Sequence, residues 1–358
     1  MRLAAVSIIR DEADILEAWI RHNLHFLDRI YIIDDGSTDN TASILHALLA
    51  EGLPLSVTSA QSLAAYHQGR LTTSLVQHAM SEQEWDYLFL LDGDEFLVAG
   101  DRQALEAELT QLGSYRIGGL NPRHYLLSEQ DDLTQPCPLT RLNRVAVHEP
   151  YVFKVVIPGR LAVERGFSVV DGNHAVSKWG VPLPSTILSG VELVHFPARS
   201  EAQLVGKGLA GYLRWTARTD FGNGQAPYRL LEGVSVLKEE SGLHVAALNS
   251  LSRALGADRQ DGGDRHQPFV ELRGDVRYPE LARAFPYRRV LSACDDLVHA
   301  FKAAIKENEQ LREREETLES WLRRTLRKSR RSVMRRLSAF RADLQHSETQ
   351  HSETQRHY

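Results

Sequence analysis

Three carboxylates stand close together at Asp92-Gly93-Asp94-Glu95, directly after an apolar run at residues 87–91. A short apolar run bounded by polar residues is typical of a buried β-strand. Carboxylate oxygens are the hard ligands that Mg²⁺ and Mn²⁺ prefer, and Gly93 would let the chain turn so that both aspartates face one side. We therefore predict a divalent cation bound by Asp92 and Asp94. A solvated turn explains a lone Asp-x-Asp equally well, so the prediction depends on the surrounding elements.

A second acidic cluster, Asp34-Asp35-Gly36-Ser37-Thr38-Asp39, follows another apolar run at residues 29–33. Carboxylates accept hydrogen bonds from imide N–H groups and sugar hydroxyls, so Asp34 and Asp35 are candidates for binding a nucleoside. The alternative is a structural Asx turn, with Thr38 or Asp39 capping the next helix. Both interpretations can hold together, because one carboxylate can bind a ligand while another residue closes the turn.

The order of the surrounding elements connects the two clusters. Strand patterns at residues 3–9, 29–33, 55–59 and 87–91 alternate with helical patterns at 13–27, 41–49 and 71–80. This alternation predicts an α/β fold, with a mostly parallel, Rossmann-like sheet and helices on both faces. Such sheets bind ligands beyond the carboxyl ends of their strands. Both acidic clusters should therefore open onto one crevice, which favours an enzyme.

Composition divides the whole chain into four segments. We expect a catalytic domain at residues 1–257, a linker at 258–290, a helical tail at 291–345 and a disordered repeat tail at 346–358. The linker contains Gly262-Gly263, which is typical of a loop. The helical tail carries a short, imperfect heptad pattern with Asn308 and Glu315 inside its apolar seam. This heptad segment is a candidate for self-association.

The net charge of −5 hides an uneven distribution. Residues 321–341 carry nine Lys or Arg and no Asp or Glu, and their apolar side chains recur at helical spacing. A basic amphipathic helix of this kind binds anionic lipid, so we predict a peripheral position on the inner face of the cell membrane. Attraction to nucleic acid and a plain solvated coil are the alternatives, and we expect no nucleic-acid partner.

The remaining composition fits a cytoplasmic location. The first apolar run ends at Arg10, too soon for a signal peptide, and no run reaches the roughly 20 apolar residues of a membrane-spanning helix. The two cysteines, Cys137 and Cys294, match no zinc-ligand or redox spacing. A thiol-based metal site is therefore not expected.

The N-terminal part of the chain also resembles the family 2 glycosyltransferases, which have a GT-A fold. The match covers Trp19 and three motifs at residues 10–14, 34–39 and 92–96. The resemblance implies transfer of a sugar from a nucleoside-diphosphate sugar to a hydroxyl of a glycan or lipid-linked saccharide, with Mn²⁺ or Mg²⁺ as cofactor. It also implies that Asp35 contacts the base, that Asp94 holds the metal, and that Asp92 lies near the ribose and the metal.

Several cations and one histidine extend the resemblance. Arg70 is the closest match to a family cation near the nucleotide. The segment Val194-His195-Phe196-Pro197-Ala198-Arg199-Ser200 resembles a family H-x-P-x-R-S segment. That likeness implies that His195 is a third metal ligand, and Arg199 and Lys207 could hold the diphosphate. A structural histidine and a solvated helix face are the respective alternatives. Two further residues match family positions with less specificity, namely Lys154 and His174.

The general base is the part of the site that the sequence does not identify. An inverting mechanism needs a carboxylate to deprotonate the acceptor hydroxyl. Many family members carry a later acidic pair for this purpose, and this chain has only Glu149 or Glu192 to compare with it. Glu95, beside the metal pair, is the alternative, and we therefore group it with Asp92 and Asp94 as a catalytic candidate.

Two other functional classes are alternatives to the transferase. A phosphatase of the haloacid-dehalogenase type also uses Asp-x-Asp after a strand, with the first Asp as nucleophile. Phe96 stands where that class has Thr or Val, and the cluster at residues 34–39 would have no role in it. The second alternative is a non-catalytic coiled-coil adaptor at the membrane that retains a degenerate transferase domain.

Overall fold

The structure is a computed structural model that describes residues 1–60, 68–128, 131–132, 135, 137–147, 153–216, 263–283 and 285–354. The chain forms two compact units, Met1–Val298 and His299–Tyr358. In the described ranges, no helix combines the length and hydropathy needed to cross a bilayer.

Four parallel strands carry the first half of the main sheet. They are β1 (Leu3–Ile9), β2 (Arg29–Asp34), β3 (Leu55–Ser59) and β4 (Tyr87–Leu90), in the spatial order β3-β2-β1-β4. The helices between them are α1 (Leu16–Asn23), α2 (Thr41–Ala50) and α3 (Gln68–Glu82). The predicted alternation of strands and helices is therefore confirmed. The acidic clusters follow β2 and β4, so both lie at the carboxyl edge of this parallel half.

The helices cover both faces of the sheet, as predicted. Successive side chains of a strand point to opposite faces, and all of β1 is buried. Ala5 belongs to a core cluster that also contains Trp19 of α1 and Leu48 of α2. Its neighbour Val6 belongs to a second cluster that contains Val76 of α3. A strand buried on both faces has no polar face, which explains the continuous apolar runs seen in the sequence.

The sheet continues beyond β4 in mixed orientation. The additional strands are β5 (Glu95–Val98), β6 (Ile117–Leu126), β7 (Arg144–Ala146), β8 (Lys154–Pro158), β12 (Ser185–His195) and β13 (Asp264–His266), with a separate small sheet of β9 (Phe167–Val169), β10 (Val176–Lys178) and β11 (Val181–Pro182). The further helices are α4 (Arg102–Leu112), α5 (Pro138–Arg141), α6 (Gly159–Ala162), α7 (Glu201–Thr216) and α8 (Pro286–Thr354). β8 runs antiparallel to both β4 and β6, whereas β12 pairs with β6 in parallel and with β5 antiparallel.

Residues 263–283, which fall in the linker predicted at 258–290, pack within the first unit. Strand β13 pairs with β7, and Phe269 is buried among the aromatic rings of Phe96, Tyr125 and Phe196. The predicted C-terminal helix is present as α8, which also includes most of the repeat that was expected to be disordered. The final residues, 355–358, lie outside the described ranges.

Candidate active site

Asp94 lies buried just beyond the end of β4, between a lysine, an arginine and a histidine. Its carboxylate is 2.8 Å from Lys207 Nζ, 3.4 Å from His195 Nε2 and 3.6 Å from Arg199 Nη1. Burial alone would raise the pKa of Asp94, but Lys207, His195 and Arg199 hold that pKa well below its ordinary value. The side chain therefore remains an anion in a place from which water is largely excluded.

His195 reaches Asp94 because of the pairing between β5 and β12. In that register, His195 lies opposite Glu95, and the N–H of Phe196 donates to the backbone oxygen of Asp94 at 3.0 Å. The other ring nitrogen of His195, Nδ1, lies 2.9 Å from Nδ1 of His124, which stands at the neighbouring position on β6. Strand pairing thus brings together two histidines and an aspartate from three separate parts of the chain.

Asp92 is held by donors from three further elements. Its Oδ1 accepts hydrogen bonds from Gln68 Nε2 at 3.2 Å and from Asn173 Nδ2 at 3.1 Å, and its Oδ2 pairs with the ammonium group of Lys154. Lys154 begins β8, in which Val156 lies opposite Phe89 of β4, so its side chain lies beside the end of β4. The Asp92 side chain is 32% exposed, so it still faces the crevice.

Glu95 lies beneath this pair. It is almost fully buried, its Oε2 accepts the backbone N–H of Asp92 at 2.8 Å, and its Oε1 is 3.5 Å from Lys154 Nζ. Burial raises the pKa of Glu95 to about 7, with Lys154 acting in the opposite direction. Its carboxyl therefore positions the backbone of Asp92 and can exchange a proton near neutral pH.

Helix α1 fixes the backbone that follows the acidic pair. Trp19 Nε1 and Asn23 Nδ2 both donate to the carbonyl oxygen of Glu95, at 2.7 and 3.2 Å, and Asn23 Oδ1 accepts the N–H of Leu97 at 2.9 Å. The His22 ring completes the set, with Nε2 2.6 Å from the Leu97 oxygen and Nδ1 accepting the Arg273 N–H at 3.1 Å. These bonds require a neutral imidazole, since both ring nitrogens would be donors in the charged form.

The buried ring of His22 predicts a pH-dependent stability. Burial lowers its pKa from 6.5 to about 4, so the unfolded chain binds a proton more readily than the folded one between these values. The contribution is complete above pH 6.5 and is lost as the pH falls towards 4, amounting to about 3 kcal/mol. The unfolding free energies of the wild type and His22→Gln, measured with urea, should therefore converge as the pH falls through this window. In contrast, the control variant His25→Gln changes an exposed histidine and should keep the wild-type pH dependence of the unfolding free energy. The same pH dependence in His22→Gln as in the wild type would contradict the lowered pKa of His22.

Gly93 is required for close packing. Its φ is not positive, so the conformational freedom expected from the sequence is not what the turn uses. A Cβ at this position would lie 2.9 Å from Ile9 Cγ2 and 3.4 Å from Glu12 Cγ. Glycine thus lets the loop between the aspartates lie directly against the end of β1.

Arg199 is completely buried within an acidic cage. Its guanidinium contacts the carboxylates of Glu12 and Asp14, with Nε 2.8 Å from Asp14 Oδ2, and Nη1 donates to the Phe196 oxygen at 3.0 Å. These contacts join the segment after β12 to the loop after β1. Lys207 differs, because its side chain remains 30% exposed while it contacts Asp94. Of the two predicted diphosphate ligands, Lys207 is the one that reaches the crevice surface.

The second acidic cluster forms a turn, with one carboxylate inside it. Asp34 Oδ1 accepts the N–H and the hydroxyl of Ser37 at 2.9 and 2.6 Å, and Asp39 Oδ1 accepts the N–H of Thr41 at the start of α2. Asp11 binds this turn from outside, accepting the Thr38 N–H at 2.5 Å. The structural interpretation of Asp34 and Asp39 is therefore supported by their contacts.

Asp35 lies beneath Arg10. Arg10 Nη1 donates to the Asp35 backbone oxygen at 3.0 Å and lies 3.8 Å from its carboxylate, while Nη2 donates to Ser292 Oγ in α8 at 3.0 Å. The loop that carries Arg10 also carries Glu12, which approaches Asp94 through Arg199. One loop thus links the two acidic strand ends, which lie at one edge of the sheet as predicted.

The structure brings most of the predicted residues together and leaves a few apart. Arg70 is exposed on α3. Glu192 is 53% exposed and 3.3 Å from Arg123 Nε, and His174 Nδ1 is 3.2 Å from the Phe153 oxygen. Glu149 lies outside the described residues. Sequence reasoning missed four residues of the site, Arg10, Gln68, His124 and Asn173, and of these only Arg10 lies within a recognised motif.

The donor set at Asp94 fits a divalent cation. Asp94 Oδ1 and His195 Nε2 are 3.4 Å apart, the separation expected of two ligands that each lie about 2.0–2.2 Å from one metal ion. Within the described ranges, no group of three or more His, Cys, Asp or Glu side chains has an arrangement that could hold a metal ion. Asp92 as a further ligand therefore stays a prediction.

Comparisons with known proteins give structural similarities only. No protein-family model matches the sequence, and no curated protein matches it either. TarS of S. aureus, solved in complex with UDP, is 10% identical over 71% of this chain and 70% of its own, with a TM-score of 0.35. The mannosyltransferase PcManGT from Pyrobaculum calidifontis, solved with GDP-Man and Mn²⁺, is 12% identical over 84% and 75%, with a TM-score of 0.33. Because these identities and TM-scores are low, the support for the architecture is the strand order of this chain itself.

Proposed function

We propose that this protein is a metal-dependent glycosyltransferase of the GT-A type, resembling family 2 and inverting in mechanism. It would move a sugar from a nucleoside-diphosphate donor to a hydroxyl of a glycan or lipid-linked saccharide. The observation that carries this proposal is the ionised Asp94, buried at the end of β4 between His195 and Lys207. The second acidic strand end, with Asp35, stands along the same sheet edge and supports a nucleoside site there.

Each residue then has a distinct task. Asp94 and His195, with Asp92 beside them, would hold Mn²⁺ or Mg²⁺, which when bound neutralises negative charge on the leaving diphosphate. Lys207 is partly exposed and can pair with a phosphate oxygen. Arg199 and Lys154, both buried, would keep the two aspartates in position.

Glu95 is our candidate for the general base. Its pKa of about 7 suits a group that must accept a proton at neutral pH. The side chain is almost fully buried, so it would act on the acceptor through a hydroxyl or water brought close to Asp92. A rise of kcat near pH 7 that is retained in Glu95→Gln would contradict this role.

Ligand-induced stabilisation tests the proposed function directly. A ligand that binds only the native state raises the unfolding free energy by about 2.7 kcal/mol at a hundred times its Kd. We expect an increase in unfolding temperature with a nucleoside diphosphate and Mn²⁺ together, and cleavage of the matching nucleotide sugar. If no nucleoside diphosphate raises the unfolding temperature and no nucleotide sugar is consumed, the proposal fails.

The location of the enzyme would follow from α8. The predicted basic segment, residues 321–341, lies within this helix, and Val333 and Met334 are 55% and 61% exposed. Cations near an anionic bilayer contribute about 1 kcal/mol each, so we propose peripheral binding to the inner membrane face. Flotation with anionic vesicles should recover the protein and high salt should release it, whereas equal binding to neutral vesicles would contradict the electrostatic basis.

A further inference from the structure

We propose that residues 301–328 of α8 form a parallel, two-stranded coiled coil with a second copy of this chain. The segment lies wholly in the second compact unit, His299–Tyr358. Along it, Phe301, Leu311, Leu318 and Leu322 are 66%, 50%, 57% and 45% exposed. Large apolar side chains at this exposure, repeated along one helix, form a stripe that a partner of the same kind can bury.

Heptad spacing runs through four consecutive heptads, with apolar residues at five of the eight a and d positions. With Phe301 at position a, the a positions hold Phe301, Asn308, Glu315 and Leu322, and the d positions hold Ala304, Leu311, Leu318 and Thr325. Positions a and d of a heptad face the partner helix, and three to four heptads are the length at which such a pattern predicts a coiled coil. All side chains from 301 to 331 are exposed, so this seam is accessible to a second chain.

Asn308 at an a position determines the geometry. An asparagine there lowers stability but specifies register and oligomeric state, since it can hydrogen-bond with the same residue of a second helix. That pairing requires two parallel helices in register. A lipid surface gives no such partner to an amide, so Asn308 favours a second copy over a bilayer for this part of α8.

The charges beside the seam complement each other in the same arrangement. In parallel coiled coils, charged residues at g and e of opposite helices form salt bridges, each g facing the e position five residues later. Here Glu307 would face Arg312 of the second copy, and Arg314 would face Glu319 of the second copy. The next pair, Trp321 and Leu326, is apolar. Both charged pairs are attractive, which is the pattern expected of a self-complementary helix.

Glu315 is the one charged residue inside the seam, where in a parallel pair it would also face Glu315 of the second copy. Position a lies beside position g of the opposite helix, so Arg314 of the second copy would lie next to the Glu315 carboxylate. Within its own helix, Glu319 is 3.4 Å from Arg323, but both side chains are largely exposed, and such pairs contribute little. Glu319 therefore remains available to Arg314 of the second copy.

Sedimentation equilibrium of the full chain tests the proposal. We expect a dimer at micromolar concentration for the wild type, and at least tenfold weaker association for Leu311→Asp with Leu318→Asp, which places charge in the seam. The matched control, Gln310→Asp with Thr317→Asp, adds the same charge at the outward c positions and should dimerise like the wild type. Wild-type protein that stays monomeric, or a control as weak as the seam variant, would overturn the proposal.

Cross-linking tests the parallel register separately. In a Cys137→Ser, Cys294→Ser background, Ala304→Cys should form an intermolecular disulfide rapidly, because equivalent d positions meet across a parallel seam and Asn308 is left in place. Gln310→Cys on the outer face should not. Equal cross-linking of the two variants, a trimer or larger species, or association seen only on anionic vesicles would each overturn the parallel dimer, and the last outcome would assign the stripe to lipid.

Discussion

Asp94→Asn should lower metal-dependent turnover by about a thousandfold or more, because the proposed metal site would lose its buried anionic ligand. Charge stabilisation by a metal is worth several kcal/mol in the transition state, and each 1.4 kcal/mol corresponds to about a factor of ten in rate. The substitution also leaves Lys207 and Arg199 without their common counter-ion. Consumption of the nucleotide sugar and titration with Mn²⁺ should both show the loss.

The control for this variant is Asp275→Asn. Asp275 is exposed and far from Asp94 in the sequence. The substitution Asp275→Asn removes the same charge, so the turnover and the Mn²⁺ titration of this variant should match those of the wild type. Circular dichroism of both variants shows whether the fold is retained. A folded Asp94→Asn protein with wild-type turnover would exclude Asp94 from the metal site.

Arg199→Met should destabilise the fold by roughly 3–5 kcal/mol, the usual cost of removing one partner of a buried ion pair. The guanidinium is fully buried and compensates Glu12 and Asp14, while also lying 3.6 Å from Asp94. Methionine fills much of the volume but leaves these carboxylates without their cation. The expected result is a lower urea midpoint with an unchanged m-value.

Two further variants separate charge from volume. Arg199→Lys keeps the charge but loses the planar fork, so its stability should fall between those of the wild type and Arg199→Met. Arg283→Met changes an exposed arginine and should stay within about 0.5 kcal/mol of the wild type. Wild-type stability in Arg199→Met would show that Arg199 does not support the cage, and would favour its predicted role as a diphosphate ligand.

The parallel half of the sheet could be predicted because its signals are local. Strands β1, β2 and β4 are apolar runs that end in polar residues, and the helices between the strands have amphipathic spacing. Strand β6 was missed since Gly118, Gly119 and Pro122 lie within it, and these residues usually indicate loops or bulges. These three residues occur within a strand because of packing contacts that the sequence does not reveal. A Cβ at Gly118, for example, would lie 2.5 Å from Val156 Cγ1 of β8.

The proximity of the candidate residues was predictable where chemistry and strand ends coincide, as at Asp92, Asp94 and His195, whose roles stay predictions. It was not predictable where contacts depend on strand register. Asn173 reaches Asp92 from 81 positions away, and Arg199 reaches Asp14 from 185 positions away. Nothing in the local sequence of Arg199 distinguishes a buried structural cation from one that binds a phosphate.

The two lysines paired with Asp92 and Asp94 affect how the folding of the protein depends on metal. Because Lys154 and Lys207 neutralise these carboxylates from within the chain, folding does not have to await a metal ion, unlike that of small metallo-domains that are unstructured without one. Chelators should accordingly leave the unfolding temperature of the ligand-free protein unchanged. An incoming cation would meet carboxylates whose charge is already partly compensated by these ammonium groups, so its binding should be weaker than binding to unpaired carboxylates.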